Sequence, residues 1–253
     1  MLSSRSREAG EGPALLIHSR LERAGSSPGK AGVGMTQWRI TISSAEHKTL
    51  IGSVVSGLGL RLSERQVEQL AMHFSLLVHW NRKINLTSLR RPEEIAVRHF
   101  EESLFLTKVV TVESGLLIDV GSGAGFPGLP LKIACPAMTA VLLEPSTKKT
   151  AFLKEVIRHC GLEGIEVRSE RLEEAAQGEL AGRASLVTLR AVALTADLLA
   201  DLKNLLAPDG RLALFLGEKD ALALAASQEF QWEPPAPIPH SERRVILIGQ
   251  SSG

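Results

Sequence analysis

The chain lacks most of the features that set unusual proteins apart. Its 253 residues include two cysteines, Cys135 and Cys160, whose wide separation fits neither a metal site nor a disulfide framework. So low a cysteine content favours a reducing compartment. No uncharged apolar run approaches the roughly 18 residues that a transmembrane helix needs. We therefore expect a cytoplasmic protein with no metal site and no membrane segment.

The sequence has no excess of charge of either sign. Lysine and arginine number 29 against 28 for aspartate and glutamate, so the formal net charge is +1. A chain that is not broadly basic can bind nucleic acid only through a local basic patch. Apolar residues make up 44% of the chain, which is typical of a globular protein. The length allows one α/β domain and an accessory helical segment.

Residues 1–34 have little apolar periodicity and are rich in Ser, Gly and Arg. An arginine-rich start is typical of transit peptides, but Glu8, Glu11 and Glu22 count against one because transit peptides are poor in acids. The composition predicts a disordered extension over residues 1–34. Since ordered-looking sequence begins just after Met35, that residue is a candidate for the true start.

Residues 35–110 carry helical patterns and predict an N-terminal helical segment. Apolar residues recur at helical spacing from Ser44 to Leu58. Ser63 and Gln66 fit a capping box ahead of a second helix. Pro92, which is followed by two glutamates, predicts the start of a third helix.

Residues 111–253 alternate between strand and helix patterns, which predicts a doubly wound, mostly parallel sheet. The predicted strands are Leu116–Val120, Thr139–Leu143, Ile165–Arg168, Leu186–Leu189, Arg211–Phe215 and Arg244–Ile248. The predicted helices are Leu129–Ala134, Lys148–Cys160, Leu172–Ala176, Thr195–Leu206 and Lys219–Ser227. The proline-rich stretch Glu233–His240 predicts a loop or an antiparallel edge hairpin. In such sheets, ligands bind outside the carboxyl ends of the strands.

The stretch Leu116–Gly128, with the sequence LLIDVGSGAGFPG, predicts a buried strand that enters a glycine turn. Its glycines permit positive φ and let a ligand approach the backbone. The pattern G-x-G-x-x-G is present, but alone it is a weak dinucleotide signal.

Two acids near this turn bear on the identity of the ligand. We expect the Asp119 carboxylate, at the strand end, to face the ligand, where it would repel a pyrophosphate by roughly 1 kcal/mol or more. It would attract the amino group of S-adenosylmethionine instead. Glu144 ends the next predicted strand and can bind both ribose hydroxyls, which fits NAD and S-adenosylmethionine equally. The alternative for Glu144 is an acid that leads the following helix.

Six motifs resemble, in order, those of the GidB/RsmG family of ribosomal RNA methyltransferases. They are WNRKINLTSL, RHFEESL, LIDVGSGAGFPGLPLKIA, LLEPSTKKTAFLKEV, SERLEEAA and TLRAVA, and they span Trp80 to Ala193. The Phe126-Pro127-Gly128 extension of the turn, combined with the Lys148-Lys149 pair, is more specific than a glycine turn alone.

The resemblance implies a Rossmann-like class I methyltransferase with a seven-stranded sheet. It implies S-adenosylmethionine as cofactor and N7 of a guanosine in small-subunit (16S) ribosomal RNA, or in the assembling subunit, as target. We expect a monomer. The cofactor-binding residues would be Asp119, Gly121, Gly123, Phe126, Glu144, Leu172, Glu173 and Arg190, with Leu172 and Glu173 acting through their backbone. One departure stands out, because the family motif usually has Asp before Ser103 whereas this chain has Glu102.

Basic residues surround the NLT stretch and follow the second strand. The candidates for RNA binding are Asn85, Arg98, His99, Lys148 and Lys149. The alternatives are a turn-capping amide for Asn85, a core histidine for His99 and a solvated face for the charged residues.

Methylation at guanine N7 needs no general base, because the lone pair is already available. No paired carboxylates, Ser/His/Asp group or Cys/His group is evident, so we predict no catalytic residue and a mechanism of proximity and orientation. Two other functions stay open at this point, an NAD-dependent oxidoreductase and a non-catalytic RNA-binding protein with this fold.

Overall fold

A computed structural model describes residues 44–111, 114–190 and 194–251, which all belong to one compact unit. The predicted extension 1–34 and the candidate start at Met35 lie outside the described residues. The division of the chain near residue 110 stays a prediction based on secondary structure.

The N-terminal helical segment forms as predicted. Its elements are α1 (Ser44–Gly57), α2 (Glu64–Trp80), α3 (Pro92–Ile95), a π-helical turn (Ala96–Glu101) and α4 (Glu102–Val109). The capping box is confirmed, since Gln66 N–H donates to Ser63 Oγ at 3.3 Å and Ser63 N–H donates to Gln66 Oε1 at 2.8 Å. The helix that begins at Pro92 continues through the π-helical turn, which no sequence pattern predicted.

Strands and helices alternate from Gly115 onward. The strands are β1 (Gly115–Val120), β2 (Met138–Leu143), β3 (Ile165–Arg168), β4 (Ala184–Arg190), β5 (Leu206–Gly217), β6 (Phe230–Trp232), β7 (Ala236–Pro237) and β8 (Arg244–Ser251). The helices are α5 (Gly128–Ala134), α6 (Thr147–Cys160), α7 (Leu172–Gln177), α8 (Ala196–Leu205) and α9 (Glu218–Ala225).

The strands lie in the order β3-β2-β1-β4-β5-β8-β6, and β7 pairs with β8. Strands β1 to β5 are parallel, whereas β8 is antiparallel to β5, β6 and β7. The predicted doubly wound, mostly parallel sheet is therefore confirmed. The order reverses at β1, so its carboxyl end is the topological switch point at which such sheets bind ligands.

The structure differs from the strand prediction in three details. The sheet of the described residues has eight strands, whereas the resemblance implied seven, and the proline-rich stretch contributes the two-residue β7, which pairs with β8. Strand β6 was missed because its three residues are too few for a periodic signal. Strand β5 begins at Leu206, ahead of the predicted Arg211, since pairing with β4 persists across a register shift.

The helical segment is tied to the sheet by hydrogen bonds as well as by apolar packing. Gln66 Nε2 donates to the carbonyls of Ile133 at 2.8 Å and Ala134 at 3.1 Å at the end of α5. Gln69 Nε2 donates to the carbonyl of Cys160 at 2.8 Å at the end of α6. Helix α2 therefore satisfies the carbonyls that two other helices leave unpaired. Across the described residues, no helix combines the length and apolarity needed to cross a bilayer.

The double role of Gln66 generates a stability prediction. Gln66→Ala removes one acceptor from the start of α2 and two hydrogen bonds to α5, so we expect the free energy of unfolding to fall by about 1–3 kcal/mol. Gln66→Glu keeps the acceptor but presents a charge to the negative end of α5, so it should also destabilise. Denaturant unfolding measures both, with Gln177→Ala at an exposed helical position as the control. Equal loss in the control would contradict the assignment.

Candidate functional site

The glycine turn lies at the carboxyl end of β1, an interior strand of the sheet. Gly121 and Gly123 have φ values of +66° and +58°. A Cβ atom at Gly121 would meet nothing within 4 Å, and at Gly123 it would meet only a backbone oxygen at 3.7 Å. At Gly125 and Gly128 a Cβ would instead collide with packed side chains. The first two glycines therefore border open space, and the last two allow tight packing.

Asp119 lies beneath this turn. Its side chain is fully buried; Oδ1 accepts from Thr188 Oγ1 at 2.7 Å and Oδ2 accepts from Gly128 N–H at 3.1 Å. The register explains the placement, because β1 pairs Asp119 directly with Thr188 of β4. Burial raises the pKa of Asp119 to about 6, against the opposing effect of these hydrogen bonds. We expected this carboxylate to face the ligand; in the structure both of its oxygens accept hydrogen bonds from within the protein, and its contact with a cofactor stays a prediction.

Glu144 lies against the open part of the turn. Its Oε2 accepts from Gly123 N–H at 2.8 Å, and its Oε1 accepts from Ser146 N–H at 2.9 Å just before α6. Lys149 Nζ approaches Oε2 at 3.9 Å. The position of Glu144 is compatible with both interpretations, a ligand for ribose hydroxyls and an acid that leads α6. Its carboxylate contacts both the turn and the start of that helix. Each oxygen retains a second lone pair for a ligand hydroxyl.

Phe126 points away from the open side of the turn. Its ring is stacked between His73 at 4.7 Å and His99 at 4.6 Å and meets Phe100 edge-on. His73 Nε2 is 2.8 Å from the carbonyl oxygen of Ala124 in the turn, so this nitrogen carries the proton. Because the ring is packed in this way, a cofactor contact by Phe126 would use its backbone, and that contact stays a prediction.

Arg190 ends β4, where the sequence predicted it. Its Nη2 donates to Glu102 Oε2 at 2.9 Å and to the carbonyl of Arg98 at 2.5 Å. The guanidinium carbon lies 5.8 Å from the centre of the Phe215 ring. Arg190 therefore joins the sheet to the π-helical turn, and its contact with a cofactor stays a prediction.

Leu172 and Glu173 begin α7, which follows β3. The Leu172 side chain is buried in the core and the Glu173 side chain is exposed. This geometry is consistent with recognition through their backbone groups, which stays a prediction.

The candidates for RNA binding lie in different settings. Asn85 and Lys148 are exposed. The capping amide of the NLT loop is Asn81, whose Oδ1 accepts from the N–H groups of Leu86 at 2.9 Å and Thr87 at 3.0 Å. The turn-capping role considered for Asn85 thus falls to a neighbour.

His99 and Arg98 are adjacent but differ in exposure. His99 Nε2 lies 2.8 Å from Thr87 Oγ1 and its ring stacks on Phe126, which favours the core-histidine interpretation. The Arg98 side chain is 47% exposed and reaches Glu102. Their roles in RNA binding stay predictions. Within the described ranges, no three His, Cys, Asp or Glu side chains are grouped so as to hold a metal ion.

Comparison with known proteins identifies the family. A family model described as GidB, rRNA small subunit methyltransferase G, matches residues 66–232. A relative from Halorhodospira halophila, named ribosomal RNA small subunit methyltransferase G, is 39% identical over 177 residues, which cover 70% of this chain and 82% of the relative. The chain belongs to the GidB family.

Other matches agree with GidB membership. A relative of the same name from Xylella fastidiosa (strain M23) is 43% identical over 136 residues, 53% of this chain, and the chain spans only 63% of its length. A SAM dependent methyltransferase from Aquifex aeolicus has a TM-score of 0.53 at 15% identity, covering 66% of this chain and 97% of that structure. This likeness confirms the Rossmann-like methyltransferase fold.

Three residues that support the candidate site were missed in the sequence. Thr188 holds Asp119, His73 holds the turn, and Arg244 contacts Glu102. The positions of Thr188 and Arg244 follow from strand order and register, which the sequence of a single strand does not reveal. His73 lies on the buried face of α2, where its polarity was the only signal.

The buried histidines generate a prediction for the pH dependence of stability. Burial lowers the pKa of His73 to about 4 and that of His99 to about 3, from the ordinary 6.5. The unfolded chain therefore takes up protons first, and the histidines' contribution to stability is lost as pH falls below 6.5. Asp119 acts oppositely, because its raised pKa makes the folded state more favourable as pH falls through 6 towards 3.8.

His73→Phe keeps an aromatic ring but removes one of these titrations. Between pH 6 and pH 5 we expect its free energy of unfolding to fall less steeply than that of the wild type, by up to about 1.4 kcal/mol per pH unit. At pH 7.5 the variant should be less stable by about 1 kcal/mol, since the hydrogen bond to Ala124 is lost. Denaturant unfolding at a series of pH values checks this. Parallel pH profiles would show that His73 is not neutral in the folded protein.

Proposed function

We propose that this chain is an S-adenosylmethionine-dependent methyltransferase that methylates N7 of a guanosine in small-subunit ribosomal RNA. One observation carries the proposal. An open glycine turn at the switch point of the sheet lies against the carboxylate of Glu144, at the end of the neighbouring strand. A nucleoside fits this pairing, because its ribose hydroxyls can donate to the carboxylate while the backbone of the turn lies close by.

The ligand of the turn should carry no pyrophosphate. In dinucleotide sites a pyrophosphate binds the free N–H groups at the N-terminus of the helix that follows the turn. Here helix α5 begins at Gly128, and Asp119 Oδ2 accepts from that N–H group. A negative charge therefore already occupies the N-terminus of the helix from below. This favours S-adenosylmethionine, which has no phosphate, over the NAD of the oxidoreductase alternative.

Residues of the chain would position the reactants and transfer no protons. When bound, S-adenosylmethionine supplies an electrophilic methyl group on a sulfonium. Gly121 and Gly123 would hold it through their backbone, and Glu144 would orient its ribose. Guanine N7 attacks with its own lone pair, so the chain has to align two ligands at the carboxyl edge of the sheet. Arg190, at the end of β4, would lie beside both of them.

The partner proposed for the enzyme is ribosomal RNA, free or in an assembling small subunit. The GidB relatives are named for that substrate. Exposed cations lie in the NLT loop and at the start of α6, where Lys149 approaches Glu144 at 3.9 Å. We expect a monomer that acts in the cytoplasm.

Mapping of N7-methylguanosine tests the reaction directly. Small-subunit RNA is prepared from cells with and without this protein and analysed by cleavage at N7-methylguanosine followed by reverse transcription. We expect one stop that depends on the protein and returns when purified enzyme and S-adenosylmethionine are added to unmodified RNA or subunits. Binding of NAD but not S-adenosylmethionine in calorimetry would overturn the proposal in favour of the oxidoreductase.

Glu144→Gln tests how the cofactor is held. The variant keeps the size of the side chain and one acceptor oxygen but loses the charge, so we expect S-adenosylmethionine binding to weaken by about 1.5–3 kcal/mol. Calorimetry measures the loss, and thermal unfolding confirms that the variant is folded. Glu163→Gln, at an exposed position after α6, removes the same charge and should bind as the wild type does. Unchanged affinity in Glu144→Gln would remove Glu144 from the cofactor site.

A further inference from the structure

Three arginines converge on one buried glutamate beside the glycine turn. Glu102 is the first residue of α4, and its side chain is 2% exposed. Arg98 Nε lies 3.2 Å from its Oε1 and Arg190 Nη2 lies 2.9 Å from its Oε2, while Arg244 Nη1 also contacts Oε1. The arginines come from the π-helical turn, the end of β4 and the start of β8. We call these four residues the arginine cluster.

The cluster lies at the edge of the sheet where ligands bind. Arg190 pairs with Phe215 in β5, and Arg244 pairs with Gly217, the last residue of that strand. Because β8 is antiparallel, its first residue lies at the carboxyl ends of the parallel strands. The cluster is therefore on the same edge as the glycine turn.

The positive charges of the cluster are not balanced. One carboxylate faces three guanidinium groups, and Asp119 is the next negative group that acts on Arg190. Even with Asp119 counted, three positive charges meet two negative ones. Asp119 is also bonded to Thr188 and Gly128, so it is not free to turn towards the arginines. An additional anion would complete the charge balance.

Hydrogen-bonding capacity is also left over. Arg190 Nη1 is buried and has no hydrogen-bond partner in the part of the chain that the structure describes. Native proteins rarely leave buried guanidinium donors unpaired, since such groups destabilise the fold. The arrangement is therefore suited to an oxyanion that accepts several N–H bonds at once.

Exposure indicates where the anion would enter. The Arg98 side chain is 47% exposed, against 23% for Arg244 and 16% for Arg190. Arg98 thus borders solvent, while Arg190 and Arg244 lie deeper. Since Arg98 belongs to the basic residues around the NLT stretch, we expect the anion to enter from that side.

We propose that Arg98, Arg190 and Arg244 bind one phosphodiester group of the substrate RNA, and that Glu102 is the positioning residue that holds their guanidinium groups together. Arg244 and Glu102 thereby join the substrate site. The inference rests on the proposed function, since it takes RNA as the substrate. A guanidinium group can donate two parallel N–H bonds to the oxygens of a phosphate. A phosphodiester group therefore suits a site with three arginines.

Arg244→Gln tests the phosphate contact. Binding of unmodified small-subunit RNA, transcribed in vitro, is measured between 50 and 300 mM salt. Affinity falls with salt, and loss of one phosphate contact should make this slope of log affinity against log salt shallower by about 0.7–0.9. Binding at low salt should weaken by about tenfold. The affinity for S-adenosylmethionine, measured by calorimetry, should not change.

Arg211→Gln is the matched control. Arg211 is paired with Gln250 at the opposite end of the same β5–β8 ladder and forms a surface ion pair with Glu233 at 3.3 Å. The substitution Arg211→Gln removes the same charge from the same sheet, but at the opposite edge. We expect its salt slope to equal that of the wild type.

Glu102→Gln tests positioning separately from charge. The substitution makes the cluster more positive, so simple electrostatics predicts tighter RNA binding. If Glu102 positions the arginines, RNA binding should instead weaken, because the three arginine side chains lose the carboxylate that holds them together. Glu102→Asp, one methylene shorter, should have an intermediate affinity, and it serves as the second variant if the first does not fold.

The outcomes separate this inference from the proposed function. If the wild type methylates RNA but Arg244→Gln keeps its salt slope, or Glu102→Gln binds RNA more tightly, the inference is overturned and the function stands. If Arg244→Gln weakens S-adenosylmethionine binding and leaves RNA binding unchanged, the anion is the carboxylate of the cofactor and the phosphodiester assignment is wrong. If the wild type binds neither ligand, the proposed function itself fails.

Discussion

The buried carboxylate of Asp119 connects three elements of the fold. It lies in β1, accepts a hydrogen bond from Thr188 in β4 and another from the first residue of α5. The glycine turn between β1 and α5 is thereby closed from beneath. Because the carboxylate is fully buried, its desolvation is unfavourable, and these hydrogen bonds help to offset it. The shape of the turn and the charge at the start of α5 both follow from this one contact.

The helical segment supports the same turn from the other side. His73 of α2 holds the carbonyl of Ala124, while Phe126 is clasped between His73 and His99. Gln66 caps the far end of α5. Helix α2 therefore contacts both the turn that precedes α5 and the end of that helix. A segment that could be taken for a separate module is in this way part of the support for the site.

The sequence predicts what depends on local pattern and misses what depends on neighbours. The apolar run of β1, the capping box at Ser63 and the glycine turn are each local, and each was located correctly. The burial of Asp119 depends on β4 lying next to β1, although sixty residues or more separate them. The π-helical turn has no sequence signal, because its hydrogen bonds shift in response to packing. The place of Arg244 follows only from the antiparallel direction of β8.

The edge of the sheet carries opposite charges on its two sides, and this division fits two ligands. Two carboxylates lie at the turn, Asp119 beneath it and Glu144 beside it, with Lys149 at 3.9 Å from Glu144, and this surplus of negative charge suits a cationic sulfonium nucleoside. At the ends of β4 and β5 the arginine cluster has surplus positive charge, which suits a phosphodiester. Glu102 keeps the arginines together, although like charges at such distances would otherwise spread apart. The single carboxylate of Glu102 in this way contacts arginines from three elements of the fold.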